Sequence, residues 1–354
     1  MSLSIKSTSS NSQDVKQVAS EQNVNQTALA GLLSSYHELN PSCVDELHEE
    51  PSALEFMRYV ARNRPFVVRE AAIDWEAFLK WDAEYLLNTM GSEKINVAIT
   101  PFGNADAVVY QDNIPVFVKP YETSETFDQA FGYIQQQEHS GPGQSEVKYL
   151  QTQNDNLRNE YEMLFADVPK SIPFARIALQ QQHPDAVNFW LGNSHSVTSL
   201  HKDNYENIYV QIRGQKHFVL LPPVEAACVN EKPLPAATYD RRHTTESSGE
   251  VALSLRIDEL ADKVPVAIWD PDAPDHNATL MSHLAQPLRV TLNEGDMLYL
   301  PTLWYHKGIL VVIEIIADNC LIANSSSQYD MDFGGDFWAA SKFIRDVALQ
   351  TADN

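Results

Sequence analysis

The chain has 354 residues, 44% of them hydrophobic and 10% aromatic, with a formal net charge of −23 at pH 7. This length suits one large domain with extensions or two sharing an interface, and the composition is that of a soluble folded protein, not a collagenous or disordered one. The acidic balance argues against nucleic acid as a partner, and the dispersed Cys43, Cys228 and Cys320 make neither a disulfide framework nor a CxxC metal site, so a reducing compartment is expected.

The start, MSLSIKSTSSNSQDVKQVASEQNVNQ, is rich in Ser, Asn and Gln and lacks an apolar signal core, so residues 1–27 read as a disordered tail. From about Ala28 to Met90 the pattern is mainly helical. SALEFMRYVARNRP sets Leu54, Met57, Val60 and Ala61 at helical spacing before Pro65, and WEAFLKWDAEYLLNTMG reads as one helix ending at Gly91. FVVRE, INVAIT, ADAVVY and IPVFVKP read as short strands, making residues 28–140 an α/β extension.

From residue 141 to 325, strand-length segments recur: VKYLQTQ, AVNFWLG, NIYVQIRG, KHFVLLPP, PLRVTLNEGDMLYLP and the apolar run after His306. Short strands between Gly and Pro turns, without regularly alternating helices, predict a β-sandwich or jelly roll, with an insertion over about 224–287. The apolar run Gly308–Ala323 is short for a spanning helix and carries Glu314 and Asp318, so no membrane partner is expected. Residues 326–354 return to a helical pattern whose Phe337, Trp338, Phe343, Ile344 and Val347 exceed what one face needs; they pack internally or build a homodimer.

A histidine followed two positions on by a carboxylate occurs at His48 and Glu50, His183 and Asp185, and His201 and Asp203. With 11 histidines and 48 carboxylates, chance supplies about one or two such pairs, so context must separate the three. His48 lies in a charged loop and His183 before Pro184, where a turn is favoured. His201 and Asp203 instead flank the entry to a strand, and if extended chain persists through Tyr205, strand parity puts His201, Asp203, Asn207 and Tyr209 on one face. Such an inward polar row needs partners, because burying unpaired polar groups costs roughly 2–7 kcal/mol each. A metal and an anion would supply them. Two imidazoles and a carboxylate on one face make a non-haem iron site, and His306 in GDMLYLPTLWYH is the candidate third ligand from a neighbouring strand. Lys216, flanked by Phe218 and Leu220, is either an exposed edge lysine or the partner of a buried anion.

Taken together, DAVNFWLG, HKDNYENIY, GQKHFVLLPP and GDMLYLPTLWYH, with NRPFVVR, Trp75, Trp81 and AITPFGNADAV upstream, resemble the JmjC-domain oxygenases of the cupin-like group, in particular their lysyl hydroxylase branch. The resemblance implies a mainly β fold with flanking helices, a double-stranded β-helix with an N-terminal α/β extension and a C-terminal helix. It implies Fe(II) held by His201, Asp203 and His306, a 2-oxoglutarate pocket drawing on Tyr149, Thr198, Asn207, Tyr209, Lys216 and Asn324, and O2 as co-reactant. The implied reaction is hydroxylation at C3 of a lysyl side chain in a protein, in one branch a translation-associated GTPase. The sequence shows no address signal, so the cytoplasm is the default compartment, with the nucleus as the alternative. Rival expectations are a catalytically impaired interaction module and a metal-dependent peptidase. Between Lys307 and Gln328 the chain departs from the family's V-N-[FY]-W-Y-D-M hallmark, which returns in part at Asn324 and Tyr329-Asp330-Met331. Divergence or a misplaced splice boundary would each explain this, and the abrupt return favours the second.

Overall fold

Eleven strands form two facing sheets: β1 (Asp45–Leu47), β2 (Phe66–Val68), β3 (Asn104–Ala105), β4 (Ala186–Gly192), β5 (Val197–Lys202), β6 (Glu206–Arg213), β7 (Lys216–Leu221), β8 (Leu288–Leu292), β9 (Met297–Leu300), β10 (Tyr305–Leu310) and β11 (Glu314–Leu321). The computed structural model describes residues 11–140, 146–153, 155–243, 251–310 and 314–321, with side chains over 24–139, 146–153, 155–241 and 252–310. One sheet runs β1-β2-β9-β6-β11-β4 and the other β8-β7-β10-β5-β3, a jelly-roll sandwich. Asn324, Tyr329-Asp330-Met331 and the expected C-terminal helix with its dimer face lie outside the described residues. The segment that departs from the family pattern supplies β11, which pairs antiparallel with β6 on one side and β4 on the other.

Period-two alternation divides β6 between two cores. Ile208, Val210 and Ile212 face a helical layer containing Phe56, Trp81 and Phe174, whereas Tyr209 meets Phe218, Leu220, Leu298 and Leu300 between the sheets. Each fully buried Leu or Phe contributes roughly 1.5–3 kcal/mol, so both faces of this strand stabilise the fold.

The helical layer departs from the sequence expectations in three places. Helix α1 (Asn11–Leu39) begins inside the segment expected to be a disordered tail, and its Leu29 and Leu33 are buried. In α2 (Ala53–Arg62) Phe56 is the fully buried residue, while Leu54 is 66% exposed and Ala61 is also outside. Phe56 wins because Phe66, Phe174 and Tyr299 offer it edge-on ring contacts at 6.3, 5.1 and 4.9 Å, a surface that helical spacing alone does not reveal. The single helix expected after Trp75 is two, α3 (Glu76–Lys80) and α4 (Ala83–Met90), because the Asp82 carboxylate caps a new start by accepting from the Tyr85 N–H at 2.8 Å.

Caps also tie the extension to the sandwich. Ser52 and Glu55 form a reciprocal capping box at the start of α2, and Asn63 ends the helix in the left-handed region at φ 49°. Asn63 then donates to Thr302 O at 3.1 Å and accepts from the Trp304 indole at 2.7 Å, fixing the loop that leads into β10. The extension contributes β1, β2 and β3 to the two sheets, so it is woven into the sandwich by strand pairing. The insertion adds its own strands, of which Ala236–His243 pairs in parallel with Ile114–Lys119 of the extension. Among the described residues no helix is long and apolar enough to cross a membrane.

On β6 the buried Glu206 accepts from the Tyr299 hydroxyl at 2.5 Å, and burial pushes its pKa up to about 7 from an ordinary 4.5. In that interval the folded chain holds a proton that the unfolded chain has lost, so this group's stabilising effect is complete below about pH 4.5 and is lost as pH rises through 7. The urea midpoint should therefore fall across that window, and less steeply in Glu206→Gln. Glu225, whose pKa burial also raises, keeps the residual slope from vanishing. Equal slopes in the two proteins would count against this assignment.

Candidate metal centre and cosubstrate pocket

His201 lies at the end of β5 and His306 on β10, and the antiparallel register places them directly opposite each other. Cross-strand partners share a face, which brings the ring centroids to 4.1 Å. A bulge between Thr198 and His201 turns both residues toward the interior despite their odd spacing. Asp203 completes the group: the three potential ligand atoms all lie within 4.8 Å of one another, and His306 Nε2 is 3.6 Å from Asp203 Oδ2.

The backbone prepares the imidazoles as ligands. His201 Nδ1 sits 2.8 Å from Ser199 O and His306 Nδ1 3.1 Å from Trp304 O, so each ring donates its Nδ1–H to a carbonyl and turns Nε2 to the site. Burial, with the His201 charge adding to it, lowers the His306 pKa to about 4 and keeps that imidazole neutral, as ligation requires. Asp203 is held twice: its carbonyl accepts from the Leu303 N–H at 2.7 Å, and its Oδ2 accepts from Asn207 Nδ2 at 3.1 Å. Two imidazoles and one carboxylate converging from one side suit a divalent iron-type ion with open positions opposite.

The parity expectation for this site is corrected. Extended chain does not persist through Tyr205: it bends after Lys202, so His201 and Asn207 lie on strands of different sheets. The residues still converge, because the inner faces of both sheets look into one interior. His48 and His183 are exposed and take no part in this cluster.

The remaining expected residues lie along the same interior. Lys216 is 2% exposed, which removes the edge-lysine alternative, and its ammonium donates to the Tyr209 hydroxyl. Trp190, Tyr209 and Phe218 cage it, with ring centroids 5.7, 4.7 and 5.4 Å from Nζ. Thr198 stands opposite Gly308 on β10, and a Cβ on that glycine would come 2.5 Å from Lys216 Cε. Tyr149 is buried, its ring covering Gly192 beside Leu310, the residue paired with Lys216.

Sequence reasoning missed Trp190 and Gly308. Trp190 stands in a segment read only as a strand, and Gly308 in a histidine motif read only for its histidine; both act through neighbours distant in sequence. Two buried polar atoms of this interior, the Trp190 indole N–H and Asn207 Oδ1, have no partner among the described residues. The indole N–H and the buried ammonium are donors suited to an anionic guest, whereas Asn207 Oδ1 is an acceptor and calls for a donor.

The family model described as a cupin-like domain matches residues 51–308. The chain is 39% identical over 267 residues to the bifunctional peptidase and (3S)-lysyl hydroxylase JMJD7 of Homo sapiens, a match covering 75% of this chain and 80% of that protein. It is 35% identical to JmjC domain-containing protein E of Dictyostelium discoideum, over 73% of this chain and 76% of that protein. It is 32% identical to lysine-specific demethylase JMJ32 of Arabidopsis thaliana, over 82% of each chain.

Proposed function

This chain belongs to the cupin-like family of JmjC-domain proteins, and from that premise we propose that it is an Fe(II)- and 2-oxoglutarate-dependent oxygenase that hydroxylates a lysyl side chain of a protein. The observation that carries the reading is the pairing, in one interior, of the His201, Asp203 and His306 cluster with the caged ammonium of Lys216. A metal alone would explain the cluster; a dicarboxylate cosubstrate explains both. Lysyl chemistry draws its support from two relatives whose names carry it.

Each residue has a definable task. His201, Asp203 and His306 would hold the metal, with their donor atoms set by Ser199 O, Trp304 O, Asn207 and the Leu303 N–H. Fe(II) and 2-oxoglutarate, when bound, supply the oxidative decarboxylation that delivers a hydroxyl group to carbon. Lys216 and Tyr209 would hold the distal carboxylate of the cosubstrate by charge-assisted hydrogen bonds and so orient its other end toward the metal ligands. The apolar wall of Phe218, Leu220, Leu298 and Leu300 excludes water and strengthens those contacts.

The direct test is incubation of the iron-loaded chain with 2-oxoglutarate, air and lysine-containing peptides. Succinate release with gain of one oxygen atom on a peptide is expected; absence of 2-oxoglutarate binding by the purified, metal-loaded chain would refute the reading. Gly308→Ala tests the pocket more finely. Its Cβ would displace the Lys216 stem, and overpacking a filled interior costs roughly 1–3 kcal/mol, so cosubstrate affinity should drop by about tenfold. Calorimetric titration reads it, and Mn(II) affinity should stay as in the parent chain.

A further inference from the structure

Asp106 follows β3, and its carboxylate has no hydrogen bond or ion pair with any described residue. The position is engineered by the chain before it. Gly103, at φ 76°, presses so closely on the turn before β5 that a Cβ would sit 1.8 Å from His195 O, and Gly103 O accepts from the Val197 N–H at 2.8 Å. That contact starts a parallel pairing of Asn104 with Val197 and Ala105 with Thr198, on the strand that carries His201. Asp106 then adopts the left-handed region at φ 51° and turns the chain back into the strand Ala107–Gln111.

The Asp106 side chain is half-buried, and desolvation raises its pKa; the His201 imidazole and Lys119 oppose that rise, and Glu122 adds to it. Lys119 and Glu122 are themselves exposed. The carboxylate does not orient the metal ligand, since the His201 Nδ1–H is already committed to Ser199 O. Two residues earlier on the same edge, the buried Asn104 Oδ1 also lacks a donor. A buried acceptor without a donor is costly to keep, and with the half-buried Asp106 carboxylate next to it the pair is a candidate for ligand contact.

We propose that Asp106 receives the side-chain ammonium of the lysyl substrate beside the metal site. The inference rests on the oxygenase reading above and names the residue that selects its substrate class. An ammonium offers three donors and a full positive charge, which an ionised carboxylate and a neighbouring amide oxygen can accept. A reaction at a carbon of the side chain leaves the terminal ammonium a few bonds beyond the metal, and Asp106 directly follows the strand that pairs with the one bearing His201.

The test uses the full chain loaded with Mn(II) and 2-oxoglutarate, a lysine-centred peptide library, and a library of the same flanks with norleucine at the centre. Asp106→Asn is the informative variant, because asparagine tolerates the left-handed backbone and only the charge is lost. The parent chain should retain lysine peptides over norleucine peptides by about tenfold or more, the scale of a hydrogen bond to a charged group. Asp106→Asn should retain both libraries equally, with Mn(II) and 2-oxoglutarate affinities unchanged. Retained lysine preference in Asp106→Asn overturns the proposal, as does equal retention by a parent chain that binds 2-oxoglutarate, or a fall in Mn(II) affinity in the variant. Failure of the parent chain to bind 2-oxoglutarate at all instead removes the oxygenase reading, and this inference with it.

Discussion

His201→Ala and Asp203→Ala are each expected to lower Mn(II) affinity by more than about 100-fold and to abolish succinate formation. Replacing groups that merely orient a metal ligand costs roughly 10–100-fold, and removing a ligand itself exceeds that. The two variants leave different remainders: without Asp203, His201 and His306 still face each other but the carboxylate is gone, whereas without His201 one imidazole and one carboxylate remain. His48→Ala and His183→Ala are the controls, since both residues are exposed and precede a carboxylate at the same spacing. Metal titration of the four proteins distinguishes a site from a sequence coincidence. Equal Mn(II) affinity across the series would sink the assignment of the metal centre.

Lys216→Met is expected to weaken 2-oxoglutarate binding by about 10- to 100-fold, because a hydrogen bond to a charged group contributes roughly 1.5–3 kcal/mol. Methionine keeps most of the stem volume inside the cage of Trp190, Tyr209 and Phe218, so the protein should stay folded. Replacing a buried charge by an apolar side chain of similar size is often neutral or stabilising, and an unchanged or raised melting temperature is therefore expected beside the lost affinity. Tyr209→Phe removes only the hydroxyl that accepts from Lys216 and should weaken binding by less, about 2- to 10-fold. Mn(II) affinity should be unaffected in both. A Lys216→Met protein that binds the cosubstrate as tightly as its parent would show that the ammonium serves another purpose.

The two sets of residues titrate different halves of one interior. Ligand variants act through the metal end, where Asn207 leans on Asp203, and Lys216 variants act through the caged end, where Gly308 makes room for the lysine stem. Asp106 stands outside both, which is why its replacement can be read on substrate preference alone.

Much of the candidate metal centre was legible because its residues sit in short local motifs. HKD, GQKHF and YH carry His201, Asp203, Lys216 and His306 within strand-like runs, and apolar alternation marks those runs as parts of a β-sandwich. The parity argument reached Asn207 and Tyr209 by a wrong route, since the chain bends after Lys202 and changes sheets. It reached the right interior because β5 and β6 both turn alternate residues toward the space between the sheets. Helical spacing in α2 misjudged the buried face for the complementary reason: local period gives a stripe, but the partner surface chooses which stripe is inside.

By itself, then, the sequence determined the strand-rich class, the candidate ligand types and the candidate anchoring lysine, because residue chemistry and period are local properties. Only the tertiary structure decided that His201 faces His306 across a bulged register, that Trp190 walls the lysine cage and that Gly308 must lack a side chain. It also placed Asp106 just beyond the edge strand that pairs with β5. These are contacts between residues up to about a hundred positions apart, and they are set by sheet register, which depends on how whole strands pack rather than on any one stretch of residues.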